Sequence, residues 1–265
     1  MAGIGIQLNR IFKRRTVTSS IYGIAFSVNY AIGPMLMVIG CLLLMYNVLG
    51  FDQVHYSERE LFSSSLLYIF IFSLLTASPF NSTLSKYMTD EIYLDRFDNV
   101  RACAVVGITL NLTFSSLVAI PFYLRVLLVG QVPAYYVLTC FIAFLSLTLV
   151  FSVMIYNSIL KNYMKITWYF AAGMTTTFLL SLLLRFALRF SITYSMLLAL
   201  AAGLLIIAIL EFANVLRYFR KNSFNYAGPL KYFAKYWQFT AANFLYVLGL
   251  FAHNFVFWTV PWRLV

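Results

Sequence analysis

The chain has 265 residues, of which 62% are hydrophobic and only 10% are charged, and its formal net charge is +11. A soluble domain carries about 25% charged residues and about 45–50% apolar ones, so this composition excludes an ordinary soluble domain. The basic residues gather between apolar segments, where anionic lipid headgroups account for them without a nucleic-acid partner.

Seven apolar segments succeed one another along the chain. They cover residues 21–49, 61–80, 102–124, 135–160, 166–188, 193–216 and 237–260. Each approaches or exceeds the ~20 residues that a helix needs to cross ~30 Å of hydrocarbon. The sequence therefore predicts an all-α integral membrane protein with about seven transmembrane helices.

The Lys and Arg residues are sorted by topology. Fourteen of the 19 lie before the first segment or in every second loop after it, and five lie in the other loops or near the C-terminus. Because cytoplasmic loops collect Lys and Arg, this distribution predicts a cytoplasmic N-terminus and, after seven crossings, an external C-terminus.

Three regions follow from this topology. Residues 1–18 form a basic, amphipathic segment, which is either an interfacial helix on the cytoplasmic leaflet or a tail that sets orientation. Residues 19–220 are predicted to form a six-helix transmembrane bundle. Residues 221–265 contain a cytoplasmic linker, punctuated by Gly228 and Pro229, and the seventh transmembrane helix.

Two of the segments contain or end at a proline. In the first, Gly33 and Pro34 predict a kink, which either lines a cavity or is only structural. The second segment is predicted to end near Pro79. The mixed-charge residues 81–101 that follow are expected to form a solvated loop, with a cytoplasmic helix or elbow as the alternative.

Two ionisable side chains fall inside predicted spans, where they are costly and often functional. Glu211 lies about 7 Å inside the cytoplasmic end of the sixth span at helical rise. It either binds a proton or a cationic group in a hydrated cavity, or it reaches the nearby interface. His253, which is followed by Asn254 in the seventh span, is either a proton or hydrogen-bonding site or a packed histidine between helices.

Several asparagines also lie within the spans, and each is predicted to hydrogen-bond to a neighbouring helix. In lipid such a bond contributes roughly 0.6–2 kcal/mol. The residues are Asn29, Asn111, Asn157, Asn214 and Asn243.

Patterns that carry catalytic or metal chemistry are missing from the sequence. The three cysteines are widely separated, and the two histidines, His55 and His253, are far apart. No metal-ligand spacing, nucleotide-binding loop or catalytic motif is present. We therefore expect no enzyme, no metal site and no cofactor.

Several stretches of the chain resemble one known family. They are residues 1–8 (MAGIGIQL), the Gly33-Pro34 pair, residues 75–79 (LTASP) with 86–94 (KYMTDEIYL), and residues 248–258 (LGLFAHNFVFW). These matches follow the expected order along the whole chain. The sequence is thereby similar to the Pel exopolysaccharide transporters (PelG), within the multidrug/oligosaccharidyl-lipid/polysaccharide flippase superfamily.

The resemblance implies both a fold and a pathway. Members of the superfamily place two six-helix bundles on either side of a central cavity, so this chain would supply the first bundle and the opening helix of the second. The first and seventh spans would line that cavity. The candidate residues of the cavity and substrate pathway are Asn29, Gly33, Pro34, Glu211, His253 and Asn254.

The resemblance also implies a function. The protein would export an amino-sugar exopolysaccharide of the biofilm matrix across the inner membrane, beside a cytoplasmic glycosyltransferase and a cyclic-di-GMP-responsive membrane partner. Because relatives continue beyond the position of Val265, the alternative is a truncated, non-transporting fragment or an assembly subunit of such a transporter. A third hypothesis, an integral membrane transferase, needs a clustered polar site at one membrane face, which the sequence does not show.

Overall fold

The computed structural model describes residues 17–130, 132–159 and 163–259, and every regular element within them is helical. Residues 1–16 of the predicted N-terminal segment lie outside this part of the chain. Within it, helices α1–α8 cover Val17–Val48, Tyr56–Tyr93, Phe97–Val129, Ala134–Ile159, Tyr163–Leu182, Ile192–Tyr218, Ala227–Lys235 and Trp237–Thr259.

Six helices in the described residues are long and apolar enough to cross a membrane. They are α2, α3, α4, α5 with the π-helical turn that extends it to Ala187, α6 and α8. The helix α1 covers 32 residues and includes most of the first apolar segment, and Ile32–Val48 is its apolar stretch among the residues whose side chains the structure describes. A helix pairs all of its interior backbone N–H and C=O groups with one another, and lipid could not offer them hydrogen bonds. The predicted all-α, multi-pass membrane fold is confirmed.

The helix α2 continues through the proline that was predicted to end it. It covers 38 residues, with Pro79 inside. A proline leaves the carbonyl four residues earlier, here that of Leu75, without its helical donor. The hydroxyl of Ser78 donates to that carbonyl at 3.2 Å instead. The solvated loop predicted at 81–101 is therefore wrong, because α2 remains helical up to Tyr93.

The helix α1 is also continuous. It is one α-helix with Pro34 inside, so the pair Gly33 and Pro34 does not divide it into two halves. It packs against α5. Across this contact the thiol of Cys41 donates to the carbonyl oxygen of Met174 at 3.3 Å.

The central helix of the bundle is α4. It packs against α2 and α3 on one side and against α6 on the other. The chain of contacts continues from α6 to α5 and from α5 to α1. On the far side of α2 lie α8 and the short helix α7, so α1 and α8 are attached to different parts of the bundle.

Buried amide groups join these helices, as predicted for the intramembrane asparagines. Four of the five donate to another helix, and the side chain of Asn29 lies outside the described part of the structure. The bonds run from Asn111 to Ser152 (α3–α4), from Asn157 to the carbonyl of Glu211 at 3.1 Å and from Asn214 to Asn157 at 2.8 Å (α4–α6), and from Asn243 to the carbonyl of Ser78 (α8–α2).

Two glycines allow α5 and α6 to pack closely. A Cβ atom on Gly203 would lie 2.8 Å from the carbonyl oxygen of Gly173 and would overlap the hydroxyl of Thr177. Small residues matter at such contacts because helices in lipid associate through close van der Waals packing rather than through the hydrophobic effect. Gly249 on α8 is not constrained in this way, since a Cβ atom there would meet nothing within 4 Å.

Replacing Gly203 with alanine should destabilise the bundle by about 1–3 kcal/mol, because the added methyl group has no room between α5 and α6. The thermal stability of the purified protein in detergent measures this effect. Gly249→Ala is the matched control, and we expect no loss from it because its methyl group enters open space. Equal stability of the two variants would contradict the close packing of α5 on α6.

Candidate functional site

The structure separates the residues that the sequence analysis grouped in one pathway. Asn29, Gly33 and Pro34 lie on α1, which packs against α5, whereas His253 and Asn254 lie on α8, which packs against α2. The described contacts therefore do not assemble the two sets into a single cluster.

The two ionisable candidates have contrasting environments. His253 is exposed on α8 rather than packed between helices, and its ring nitrogen Nε2 lies 2.9 Å from the amide nitrogen of Asn254. Glu211 on α6 is fully buried. The interpretation in which the Glu211 carboxyl reaches the membrane interface is therefore wrong.

A cluster of small polar side chains lies on α2 around Pro79. This polar cluster consists of Ser78, Asn81, Ser82 and Thr83. The amide nitrogen of Asn81 donates to the carbonyl oxygen of Phe151 on α4 at 3.3 Å. Two buried atoms of the cluster, Asn81 Oδ1 and Ser82 Oγ, have no hydrogen-bond partner among the described residues. Buried polar groups are normally paired, so these two atoms require an explanation.

The helix α8 closes over the other side of the polar cluster. The hydroxyl groups of Thr83 and Thr240 lie 2.6 Å apart, and the amide of Asn243 donates to the carbonyl of Ser78. Both bonds join α2 to the first two turns of α8. These polar contacts attach the N-terminal end of α8 to the bundle.

An aromatic groove of about 400 Å³ adjoins the polar cluster. Its walls come from α2, α3, α7 and α8, and Thr240 belongs to both the groove and the α2–α8 contact. The lining residues are Pro79, Phe80, Phe114, Phe233, Trp237, Thr240, Ala241 and Phe244.

The short helix α7 holds one end of this groove. Asn225 accepts a hydrogen bond from the backbone of Gly228 at 3.1 Å and so caps the first turn of α7. The hydroxyl of Tyr232 donates to Asp90 of α2, and the rings of Phe233 and Phe80 lie 5.7 Å apart. Burial, together with the hydrogen bond to Asp90, raises the pKa of the Tyr232 hydroxyl, so the phenol keeps the proton that it donates.

Hydroxyl groups, amides and flat aromatic rings recognise neutral polar ligands with apolar faces. Pockets of this kind combine apolar walls with a few polar groups that fix orientation. In the part of the chain that the structure describes, no three His, Cys, Asp or Glu side chains lie together in a way that could hold a metal ion. The side chains of α2 and α8 at this site are of the types that suit such a neutral polar ligand.

The polar cluster was not predicted from the sequence, because its side chains are not ionisable and do not stand out within an apolar span. Ser78 and Ser82 are four residues apart and so share one face of a helix. That spacing is visible in the sequence, but it has meaning only once α2 is known to continue through Pro79.

Six helices that are long and apolar enough to cross a membrane, with a polar cluster and an aromatic groove among the helices, define a multi-pass membrane protein. The family model of PelG, described as an exopolysaccharide exporter (EPS-E), matches residues 1–264. The chain therefore belongs to the PelG family, as the resemblance of its motifs predicted. No curated protein and no solved structure matches the chain.

The double variant Thr83→Cys, Thr240→Cys should form a disulfide between α2 and α8 under mild oxidation, because the oxygens that the sulfurs replace lie 2.6 Å apart. Mass spectrometry of the digested protein detects the linked peptides. The control pairs Thr83→Cys with Tyr246→Cys, which places the second thiol on an exposed part of α8. Equal cross-linking of both pairs would contradict the observed contact.

Proposed function

We propose that the protein exports an exopolysaccharide by guiding the polymer along the polar cluster and the aromatic groove. The observation that carries this proposal is the pair of unpartnered buried atoms, Asn81 Oδ1 and Ser82 Oγ, on the helix whose Pro79 and Phe80 line the aromatic groove. Membership of an exopolysaccharide exporter family supports a sugar polymer as the ligand. Polar groups held inside a membrane commonly mark the path of a polar substrate.

The moving wall of this path is α8. Only 6% of the apolar stretch of α8 is buried within the structure, whereas 33–56% of the corresponding stretch is buried in the other five candidate spans. A helix with so little enclosure can shift against α2 by breaking the hydrogen bonds at Thr240 and Asn243. Such a shift would open the polar cluster to the polymer, with His253 and Asn254 further along the same helix.

The finer identity of the substrate and its surroundings is part of the proposal. The family resemblance supports an amino-sugar polysaccharide of the biofilm matrix, a cytoplasmic glycosyltransferase that supplies it and a cyclic-di-GMP-responsive membrane partner. The sorting of Lys and Arg supports an inner-membrane protein with a cytoplasmic N-terminus. A second helix bundle, of which α8 is the first member, would then form the opposite wall.

Replacing Trp237 with alanine should lower export about fivefold to tenfold, since a lost aromatic contact costs roughly 1–1.4 kcal/mol. Extracellular polysaccharide from a deletion strain that carries the variant gene measures the effect. The matched control is Trp168→Ala, because Trp168 on α5 is equally exposed, at 68% against 62% for Trp237, and lies outside the groove. Export should remain normal in the control at equal membrane levels of protein.

Replacing Asn81 with leucine should lower export by up to about tenfold, because it removes a hydrogen-bonding group that contributes roughly 0.5–1.5 kcal/mol. Asn47→Leu is the control, since the Asn47 amide bonds only within α1, to the carbonyl of Leu43 at 2.9 Å. Unchanged export by both the Asn81 and Trp237 variants would place the polymer path elsewhere. If deletion of the gene abolishes export and a chain that carries both the Asn81 and the Trp237 substitution restores it fully, the protein is instead an assembly subunit.

A further inference from the structure

A second unpaired group lies in the bundle, away from the polar cluster and the aromatic groove. Glu211 has no exposed surface, and neither oxygen of its carboxyl group has a hydrogen-bond partner among the described residues. The cavities at the groove and at the other end of α2 are lined by other residues. A buried carboxyl without partners is rare, because an unpaired polar group loses its hydration without compensation.

Polar side chains lie near Glu211, but none of those that the structure describes forms a hydrogen bond with its carboxyl group. Lys165 of α5 donates to Asn214 of α6 at 3.2 Å, and Asn214 donates to Asn157 of α4 at 2.8 Å. Asn157 then donates to the backbone carbonyl oxygen of Glu211 at 3.1 Å. This hydrogen-bonded chain links three helices and ends on the backbone of Glu211. Helix packing therefore uses the main chain at this position and does not explain the acidic side chain.

The charged and titratable groups near Glu211 are few. From α5, Tyr169 lies within electrostatic range of both Glu211 and Arg217, and Lys165 is engaged with Asn214. From α4, the facing residue is the uncharged Asn157. On α6 itself, Arg217 lies nearly two turns towards the exposed end of the helix. None of these groups makes an ion pair with the carboxyl group of Glu211 in the described structure.

We infer that Glu211 is a proton-binding site whose loading and release accompany movement of α5 against α4 and α6. The described residues place no cluster of His, Cys, Asp or Glu side chains that could hold a metal ion around Glu211. A proton needs no cavity and no further ligand. The site also lies near the end of α6, about 10 Å from Tyr218 at helical rise, so a small separation of the helices would connect it with water.

Proton binding at Glu211 would couple export to the proton gradient, and this coupling rests on the proposed export function. Release of the proton would leave a carboxylate that requires water or a cation, and the nearest sources are Lys165 and Arg217 at the basic end of the bundle. Helix α5 would have to separate from α6 to admit them. The close glycine contact between these two helices is the part of the structure that such a movement would open.

Proton binding is tested without any polysaccharide. Infrared spectra of the purified full chain in lipid vesicles should show the carbonyl stretch of a protonated carboxyl group at neutral pH. The band should disappear in Glu211→Gln and persist in Glu60→Gln, which alters an exposed acid at the start of α2. Glu211→Asp keeps a carboxyl group and should keep a shifted band, which guards against misfolding of the glutamine variant. A band that survives in Glu211→Gln overturns the inference.

Coupling is tested by export from membrane vesicles that contain the polymerising enzymes. A protonophore should slow export by the natural chain, because it removes the proton gradient, and should not change the residual export by Glu211→Gln. Full protonophore sensitivity in Glu211→Gln overturns the coupling. A chain that shows the Glu211 band but exports nothing overturns the proposed function and supports the proton site.

Discussion

The need to pair every polar group inside the membrane governs this structure. Lipid offers no hydrogen bonds, so backbone and side-chain groups must find partners within the protein. The effect is clearest at Pro79, where the missing backbone donor would leave the carbonyl of Leu75 unpaired. The hydroxyl of Ser78 takes over that role, and α2 remains one helix. Between helices, the same need is met by asparagine amides such as those of Asn157 and Asn243.

Against this background the unpaired groups stand out. Asn81 and Ser82 follow Pro79 and Phe80, which line the aromatic groove, on α2, and the carboxyl group of Glu211 lies in a separate part of the bundle. The two locations call for different partners, because the first adjoins an open groove with aromatic walls and the second is closed. We propose a sugar polymer as the partner of the first and a proton as the partner of the second. Binding of substrate and supply of energy would thus use different helices of one bundle.

Much of the fold could be predicted because apolar length and charge sorting are properties of the sequence. The helical class, the approximate spans and the family all followed from local runs of residues and from short motifs. The sequence left the continuation of α2 open, because a proline favours a break and the bond from Ser78 to the carbonyl of Leu75 is visible only in the folded helix. The candidate site was only partly predictable: His253 and Asn254 are on the exposed helix α8, whereas Gly33 and Pro34 pack elsewhere with α1.

The sequence by itself determined that this chain is an all-helical membrane protein of the PelG family, because hydropathy and motifs are read along one dimension. Only the tertiary structure decided which helices meet. Packing brings Thr83 against Thr240, across 157 positions of sequence, and encloses Glu211 among α4, α5 and α6. Such contacts depend on which helices are neighbours and how closely they approach. The sequence does not show this, because lipid-facing and protein-facing residues in a span are both apolar.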